Sequence, residues 1–306
     1  MSQKKTTRLY AILARNAANG VIFRRGPTAQ VLLIKWNLNS DTFELGQWFK
    51  GRIYERRCDL SPSGTKLVYF AGNFKTSLGS WTAVSKPPYL TALMLWPKGD
   101  AWGGGGLFEN EYTLHLNHRD YEYNKGVNEM ELMEGYKLPK NFKIKPFGER
   151  SGWGEDDPIW RMRLERDGWT LIEGKEAKRD YKAKIWITYD PPIIYRKPLS
   201  KNKSNQYFLE MKIMGIKERK GPWYVIEYDL INTKTLIRQG FGRLDWADWD
   251  IRSGDFLFAS QGKLFRIKHE SNQETQYNPN SAIELADFSD LSFEAIDSPN
   301  WAKVWK

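Results

Sequence analysis

Four times in this chain a short polar turn ends on glycine and gives way to apolar residues, and this recurrence restricts the available folds more than any other feature. The clearest copy is Ser61-Pro62-Ser63-Gly64, set between Asp59-Leu60 and Leu67-Val68-Tyr69-Phe70. Proline presets its own backbone torsion for the second turn position, serine bonds to nearby backbone, and glycine accepts the positive φ that closes many such turns. The β-branched and aromatic residues that follow form strands rather than helices. Aligning on the glycine gives Leu95-Trp96-Pro97-Lys98-Gly99, then Leu164 to Ile172 around Gly168, then Asp250 to Phe258 around Gly254. An apolar residue stands three positions after each glycine: Leu67, Trp102, Leu171 and Leu257.

A longer internal match points the same way. VLLIKWNLNSDTFELGQWFKGRI (31–53) resembles YVIEYDLINTKTLIRQGFGRL (224–244), each reading as strand, polar turn, strand. Each leads into a glycine-turn copy, at Gly64 and at Gly254. A supersecondary unit that recurs in this order is the signature of a repeat architecture.

The chain has 306 residues, of which 41% are hydrophobic, including 14 Trp, 15 Tyr and 15 Phe. That aromatic weight suits sheets packed face to face, since each large ring buries roughly 150–250 Å². No stretch reaches the ~20 apolar residues of a membrane span, and the start MSQKKTTRLYAILARNAANG lacks the long apolar region of a signal peptide. A cytoplasmic protein without membrane contact is expected. The single cysteine, Cys58, excludes an internal disulfide and reads as an inert strand residue, although Arg56 and Arg57 would activate it if it were exposed.

Innermost strands are predicted at Leu9–Arg15, Arg57–Ser61, Thr91–Trp96, Trp160–Leu164, Phe208–Met214 and Ala247–Ile251. The stretch 117–158 shows no sustained alternation and is predicted to be an irregular insertion, with a turn or two of helix at Asn128–Met133. The rest reads as strand and turn.

DLSPSGTKLVYFAG resembles the Ser-Pro-Asp-Gly-type repeat of WD-repeat-like and TolB-type β-propellers, with Ser63 where that family usually carries aspartate. Later copies keep less: Pro97 and Gly99, then Asp167-Gly168, then Ser253-Gly254. The resemblance implies an all-β propeller spanning 1–306 as a single domain, in which each blade relies on its neighbours for burial. Six inner strands predict six blades, with five as the alternative. The C-terminal segment 283–306 is expected to close the ring against Leu9–Arg15, leaving no free sheet edge. Propellers of this kind also occur as partner subunits in bacterial assemblies, including defence-type ones, and the resemblance extends that expectation to this chain.

Propellers host many functions, so function has to be argued from particular side chains. His115 and His118 are spaced to point to opposite faces of a strand, which suits joint metal ligation poorly, and no metal or cofactor is expected. Glu155-Asp156-Asp157 precedes a proline; as a carboxylate pair it would serve a glycosidase, and as a solvated loop it would serve none. Asp245, Asp248 and Asp250 read as aspartates that bond turn backbone. Gly103, Gly104, Gly105 and Gly106 precede a strand pattern rather than a phosphate-binding helix. Their use is close backbone approach, or contact between bare amides and a ligand.

Charge gives the strongest functional hint. The formal net charge is +10, yet 137–150, 175–203 and 212–220 together carry +13, whereas 274–297 carries six acids and no base. A basic rim is therefore expected, with Lys137, Lys140, Lys143, Lys145 and Arg150 in one group and Lys178, Arg179, Lys182, Lys184, Lys197, Lys201 and Lys203 in another. Lysine outnumbers arginine there and gives diffuse attraction rather than bidentate recognition. The expected function is a non-catalytic recognition or scaffold subunit, monomeric when alone, that docks a protein partner on this rim. Two alternatives stay open: nucleic-acid contact through the same cations and interleaved rings such as Tyr181, Trp186 and Tyr195, and a hydrolase using the acidic cluster.

Overall fold

Alternating apolar residues separated by tight turns fold back on themselves as antiparallel meanders. The computed structural model describes residues 7–27, 29–174, 176–199, 206–269 and 277–305. Lys201 and Lys203 lie outside the described residues. The described chain is all-β apart from one α-helix and a few short 3-10 turns, and its strands form five sheets. It divides into two compact units, 1–163 with 290–306 and 164–289.

In the first unit, sheet 1 runs β1 (Arg8–Leu13), β2 (Asn19–Arg25), β3 (Gln30–Asn37), β4 (Thr42–Lys50) in chain order. Sheet 2 is built from β5 (Arg52–Ile53) and β6 (Asp59–Leu60), both paired with β7 (Leu67–Asn73), followed by β8 (Gly79–Ser85) and β9 (Met94–Pro97). Sheet 3 contains β10 (Gly106–Asn110), β11 (Thr113–Leu116) and β12 (Lys143–Pro146), the last parallel to β11. The helix α1 (Ile159–Arg166) carries the chain from the first unit into the second.

In the second unit, sheet 4 orders β13 (Thr170–Glu173) beside β15 (Ile185–Pro198), β16 (Tyr207–Glu218), β17 (Tyr224–Asn232) and β18 (Arg238–Arg243), with β14 (Ala177–Arg179) also on β15. Sheet 5 runs β19 (Trp246–Asp250), β20 (Asp255–Ser260), β21 (Lys263–Ile267), β22 (Ile283–Asp287).

Sheet 2 shows why such sheets need neighbours. Successive side chains of a strand point to opposite faces. On β7, Leu67, Tyr69 and Ala71 pack with Ile12, Val21, Phe23, Val31 and Leu33 of sheet 1. Val68 packs the other way, with Phe108, Leu114 and Leu116 of sheet 3. Each of the fully buried Val, Leu, Ile and Phe side chains contributes about 1.5–3 kcal/mol, and neither face of sheet 2 could claim that alone. In the second unit rings do the same work: Phe241 of β18 lies 4.8 Å from Phe256 and 5.8 Å from Phe258 of β20.

The internal match falls on equivalent hairpins, β3–β4 and β17–β18. Both lead into the first strands of the next sheet and then into a glycine turn, at Gly64 between β6 and β7 and at Gly254 between β19 and β20. All four aligned glycines have positive φ, +72° at Gly64, +83° at Gly99, +94° at Gly168 and +79° at Gly254. Only the first and last are hairpin turns followed by a buried apolar residue; Trp102 and Leu171 are exposed.

The predicted inner strands need correction. Trp160–Leu164 lies in α1, and Arg57 belongs to a 3-10 turn ahead of β6. The remaining segments fall on β1, β6, β9, β16 and β19, which leaves sheet 3 without a member and gives sheet 2 two. No helical turn forms at Asn128–Met133, and 117–158 is irregular apart from β12, with α1 starting just after it at Ile159. Nor do the terminal segments pair with each other: β1 pairs with β2 and β22 with β21. Residues beyond 290 instead lie on the first unit, where Ile296 O accepts from Gln47 Nε2 at 3.0 Å and Trp305 packs 4.9 Å from Phe142.

The turn at Gly64 ties three sheets of the first unit together. Asn16 donates its backbone N–H to Pro62 O at 2.9 Å, and Ser63 donates its own to Glu111 Oε1 at 2.5 Å. A methyl group on Gly64 would meet Ala14 Cβ at 3.0 Å and Asn19 Cβ at 3.1 Å, in a backbone conformation that already disfavours one. Gly64→Ala is therefore expected to destabilise by about 1–2 kcal/mol. Gly174→Ala, where nothing lies within 4 Å and φ is not positive, should stay within about 0.5 kcal/mol. Urea midpoints read both, and equal midpoints would remove the turn from its role.

Candidate functional site

Two regions stand out, one on each unit. On the first, the tetraglycine segment is wholly buried and its amides already have acceptors. Gly103 N–H donates to Gly154 O, Gly104 N–H to Asn117 O and Gly105 N–H to Thr82 Oγ1, each at 2.7 Å, while Gly106 pairs with Leu116 in the ladder. A Cβ on Gly103, Gly104 or Gly105 would collide with Gly152, Phe70 or Arg57 respectively. Close backbone approach is thus the use of these glycines, and the expected ligand contact through bare amides is corrected.

Arg57 fixes the far side of this segment. Its guanidinium is buried, donates Nη1 to Ala101 O and Gly103 O at 2.7 Å, and pairs through Nε with Asp156 Oδ1 at 3.0 Å. The faces of Tyr54 and Phe70 lie 4.6 and 5.3 Å from the same cation. Asp156, the buried member of the acidic cluster, therefore holds loops together, while Glu155 and Asp157 are exposed.

His118 completes the scaffold. It is buried, with Nδ1 at 3.0 Å from Glu129 O and Nε2 at 2.8 Å from Thr82 Oγ1. Burial, with the nearby Lys98 ammonium, lowers its pKa to about 3. The ring is therefore neutral, and because Glu129 O can only accept, the proton sits on Nδ1 and the Thr82 hydroxyl donates to Nε2. His115 goes elsewhere, to Glu109 Oε2 at 2.9 Å, which Lys145 Nζ also reaches at 2.8 Å. Among the described residues no group of three or more His, Cys, Asp or Glu could hold a metal ion. Cys58 is buried, donates to Tyr54 O, and burial drives its thiol pKa up, so the neighbouring arginines do not activate it.

On the second unit, the ends of β14, β15, β16 and β17 meet at two turns, 180–183 and 218–222. Lys178, Arg179, Lys182 and Lys184 from the predicted group converge there with Lys217, Arg219 and Lys220, which the charge run 212–220 signalled but which were not singled out. Asp180, Asp190 and Glu218 are the acids of these segments. Asp180 caps the turn, accepting from Lys182 N at 2.8 Å. Glu218 is held by Lys184 at 2.9 Å and Arg243 at 3.1 Å, and Lys178 meets Asp190 at 3.7 Å in the open. Arg179, Lys182, Arg219 and Lys220 have no carboxylate partner among the described residues. Tyr181 is 64% exposed and packs edge-on to Trp186. Lys217 lies over Trp186 at 3.8 Å and Trp223 at 5.5 Å.

Lys197 does not belong to this surface. It is buried and pairs with Asp248 Oδ1 at 2.6 Å, while Trp249 Nε1 donates to its carbonyl at 3.2 Å, so it fastens β15 to β19. Burial raises the Asp248 pKa and Lys197 pulls it back. Asp245 and Asp250 do bond turn backbone, at Gln261 N and Arg252 N, and Asp250 with Asp255 also receives the buried Arg266. Lys137, Lys140, Lys143, Lys145 and Arg150 are exposed on the first unit.

No protein-family model and no curated protein matches the chain. Among solved structures it is similar to an uncharacterized protein of Listeria monocytogenes, at TM-score 0.33 and 9% identity over 86% of this chain and 92% of that one. It is also similar to the β-propeller domain of the Trilobed protease from Pyrococcus furiosus, at TM-score 0.29 and 10% identity over 94% and 98% of the two chains. A third likeness is to the GH43 protein BlXynB of Bacillus licheniformis, at TM-score 0.31 and 9% identity over 97% and 60%. At these TM-scores the likenesses carry no argument about fold or function.

Two outcomes test the buried scaffold. Asp156→Ala leaves the Arg57 cation buried without its counter-ion and should cost about 3–5 kcal/mol in chemical denaturation; a loss below about 1 kcal/mol would contradict it. Because the His118 pKa is lowered on folding, the unfolded chain binds more protons between about pH 6.5 and pH 3. Stability should therefore be fully present above that window and fall as the pH drops through it. His118→Gln should flatten this part of the melting-temperature profile relative to the parent, and an unchanged slope would refute the assignment.

Proposed function

We propose that this protein is a non-catalytic recognition subunit that docks an acidic protein surface on the basic end of sheet 4. Four cations without carboxylate partners, grouped on two adjoining turns, carry this reading. The two turn-bearing segments, 177–190 and 215–224, hold seven bases against three acids. Such a patch steers an acidic partner and fixes its orientation. Tyr181 and Arg219 are residue types that anchor protein interfaces.

Protein docking is preferred to nucleic acid because of Lys217. Single-strand binding draws on successive open rings; here Lys217 occupies one face of Trp186 and Tyr181 meets that ring edge-on, so Tyr181 is the exposed ring at these turns. Beneath this surface we read the five sheets, each a meander in chain order apart from the parallel β12, the placement of β14 and the shared pairing of β5 and β6 with β7, as blades of a β-propeller. Five blades fit better than six, since the fourth predicted inner strand is α1. A larger cytoplasmic assembly is the setting such a subunit would serve.

The test is fluorescence anisotropy with a labelled polyglutamate peptide and, separately, a labelled oligothymidylate. The combined variant Arg179→Glu, Lys182→Glu, Arg219→Glu, Lys220→Glu should weaken polyglutamate binding by at least roughly tenfold, or about 1.4 kcal/mol. Its melting temperature should fall little, because these side chains are exposed and the bonds removed, from Arg219 Nη2 to Tyr181 O and Lys182 O, are long at 3.4 Å. Lys140→Glu with Lys143→Glu should change binding by less than about threefold, because these cations belong to the first unit and not to the two turns of sheet 4. Absence of polyglutamate binding by the parent protein sinks the proposal. Tighter, steeply salt-dependent oligothymidylate binding that Tyr181→Ala abolishes would replace it with the nucleic-acid reading.

A further inference from the structure

The buried scaffold of the first unit leaves two large rings in water. Trp102 and Trp153 are each 55% exposed, and Tyr121 and Tyr123 in the adjoining loop are 63% and 44% exposed. The backbones that bear the two tryptophans touch: Gly103 packs against Gly152, and Gly103 N–H donates to Gly154 O at 2.7 Å. The loop of Tyr121 and Tyr123 joins them through Asn117, whose Oδ1 accepts from Gly152 N at 2.8 Å and whose Nδ2 donates to Trp153 O at 3.2 Å. Ser151 Oγ bonds Leu116 O at 3.2 Å and His118 O at 2.5 Å. The backbone that carries the two indoles is thus tied at Trp102 N, Gly103 N and O, Gly152 N, Trp153 N and O and Gly154 O, which limits the order lost on binding.

Polar groups surround Trp153. Arg119 lies over one face of its ring, 5.1 Å from the centroid, the ring as a whole staying 55% exposed, and Asn124 Oδ1 accepts from its Nε1 at 3.3 Å. Arg119 Nε and Asn124 Nδ2 are donors without an acceptor, a state that costs about 1–3 kcal/mol for each buried group. An oxygen introduced at this edge of the ring, with a small shift of either side chain, would satisfy them.

Charge decides what brings that oxygen. Segments 100–103, 117–125 and 150–157 contain six acids and three bases; with Asp156 held by Arg57 and Asp100 by Lys98, four acids stand against three bases. No cationic excess is left to attract a polyanion. A neutral ligand with an apolar face and a hydroxylated edge fits: the C–H face of a pyranose covers an indole, and its hydroxyls accept from in-plane donors and donate to carboxylates.

We propose that Trp102 and Trp153 form a stacking platform for the sugar rings of a neutral oligosaccharide, with Arg119 and Asn124 donating to its hydroxyls. This site is independent of the basic surface on the second unit.

The experiment titrates the full chain with four neutral hexasaccharides, cellohexaose, xylohexaose, chitohexaose and maltohexaose, by calorimetry and by tryptophan fluorescence. At least one is expected to bind at millimolar concentration or below and to shift the emission. Trp153→Ala and Trp102→Ala should each weaken it by roughly tenfold or more. The Trp102 side chain has no hydrogen bond or ring partner among the described residues, so Trp102→Ala keeps the test valid should Trp153→Ala loosen its loop. The variant reversing Arg179, Lys182, Arg219 and Lys220 should bind the sugar as the parent does. Failure of all four sugars to bind overturns the proposal. So does binding that survives both tryptophan substitutions, or oligothymidylate binding that Trp102→Ala removes.

Discussion

A guanidinium that cannot shed its proton has to be met, wherever it is buried, by groups that accept its hydrogen bonds. Arg57 imposes this requirement on the first unit. It draws Ala101 O, Gly103 O and the Asp156 carboxylate to one point, so two separated stretches of chain are fixed to its own by one side chain. The tetraglycine segment follows from the same constraint, because Gly105 meets the backbone of Arg57 where any Cβ would collide. Neutral His118 and Thr82 then close the circuit without adding a charge. Arg163 repeats the device on α1, donating to Tyr10 Oη at 2.5 Å and to the carbonyl of Cys58.

The second unit solves the problem with pairs that cross its sheets. Lys197 and Asp248 join β15 to β19, and Arg266 on β21 is shared by Asp250 and Asp255. Across sheet 4, Glu210 is wholly buried between Arg196 at 2.7 Å and Arg238, which also reaches Asp229 at 2.6 Å. Removing one member of such a network is costlier than never having built it, since the survivor keeps its charge and loses its partner. These charges therefore specify which strands meet, while the apolar and aromatic contacts supply most of the stabilisation.

What could be read from the sequence was local. Turn chemistry placed all four glycines in positive φ, and the hairpin pattern identified β3–β4 with β17–β18, because both signals lie within a few residues. The error at Trp160–Leu164 has a definite cause. Trp160, Met162 and Leu164 alternate with Arg161 and Arg163 as a half-buried strand would, but Ile159, Trp160, Arg163 and Leu164 are the buried residues, which is helical spacing. An arginine occupies an apolar slot, and nothing nearby announces that Tyr10 and Cys58 will receive it. Lys197 misled for the same reason: its partner Asp248 lies 51 residues away, so it counted as one more surface cation. The platform around Trp102 and Trp153 was hidden because aromatic residues were assigned to the core by composition, and only contacts across loops separate a displayed ring from a packed one.

Net charge, taken over the whole chain, would have misjudged both surfaces. A value of +10 suggests a generally basic molecule, yet the loops around Trp153 carry more acid than base and the end of sheet 4 carries the reverse. Ligands respond to the local value, because at physiological ionic strength a charge in solvent is screened within about 8 Å. Buried pairs such as Arg57 with Asp156 contribute nothing to either surface, and discounting them changes the sum in each place. The fold thus sorts its charges into those that specify contacts inside the sheets and those left for recognition. Only the second kind bears on recognition, and it is on that local charge that the two proposals rest: an acidic surface for the turns where Arg179, Lys182, Arg219 and Lys220 face solvent, and an uncharged ring for the exposed indoles.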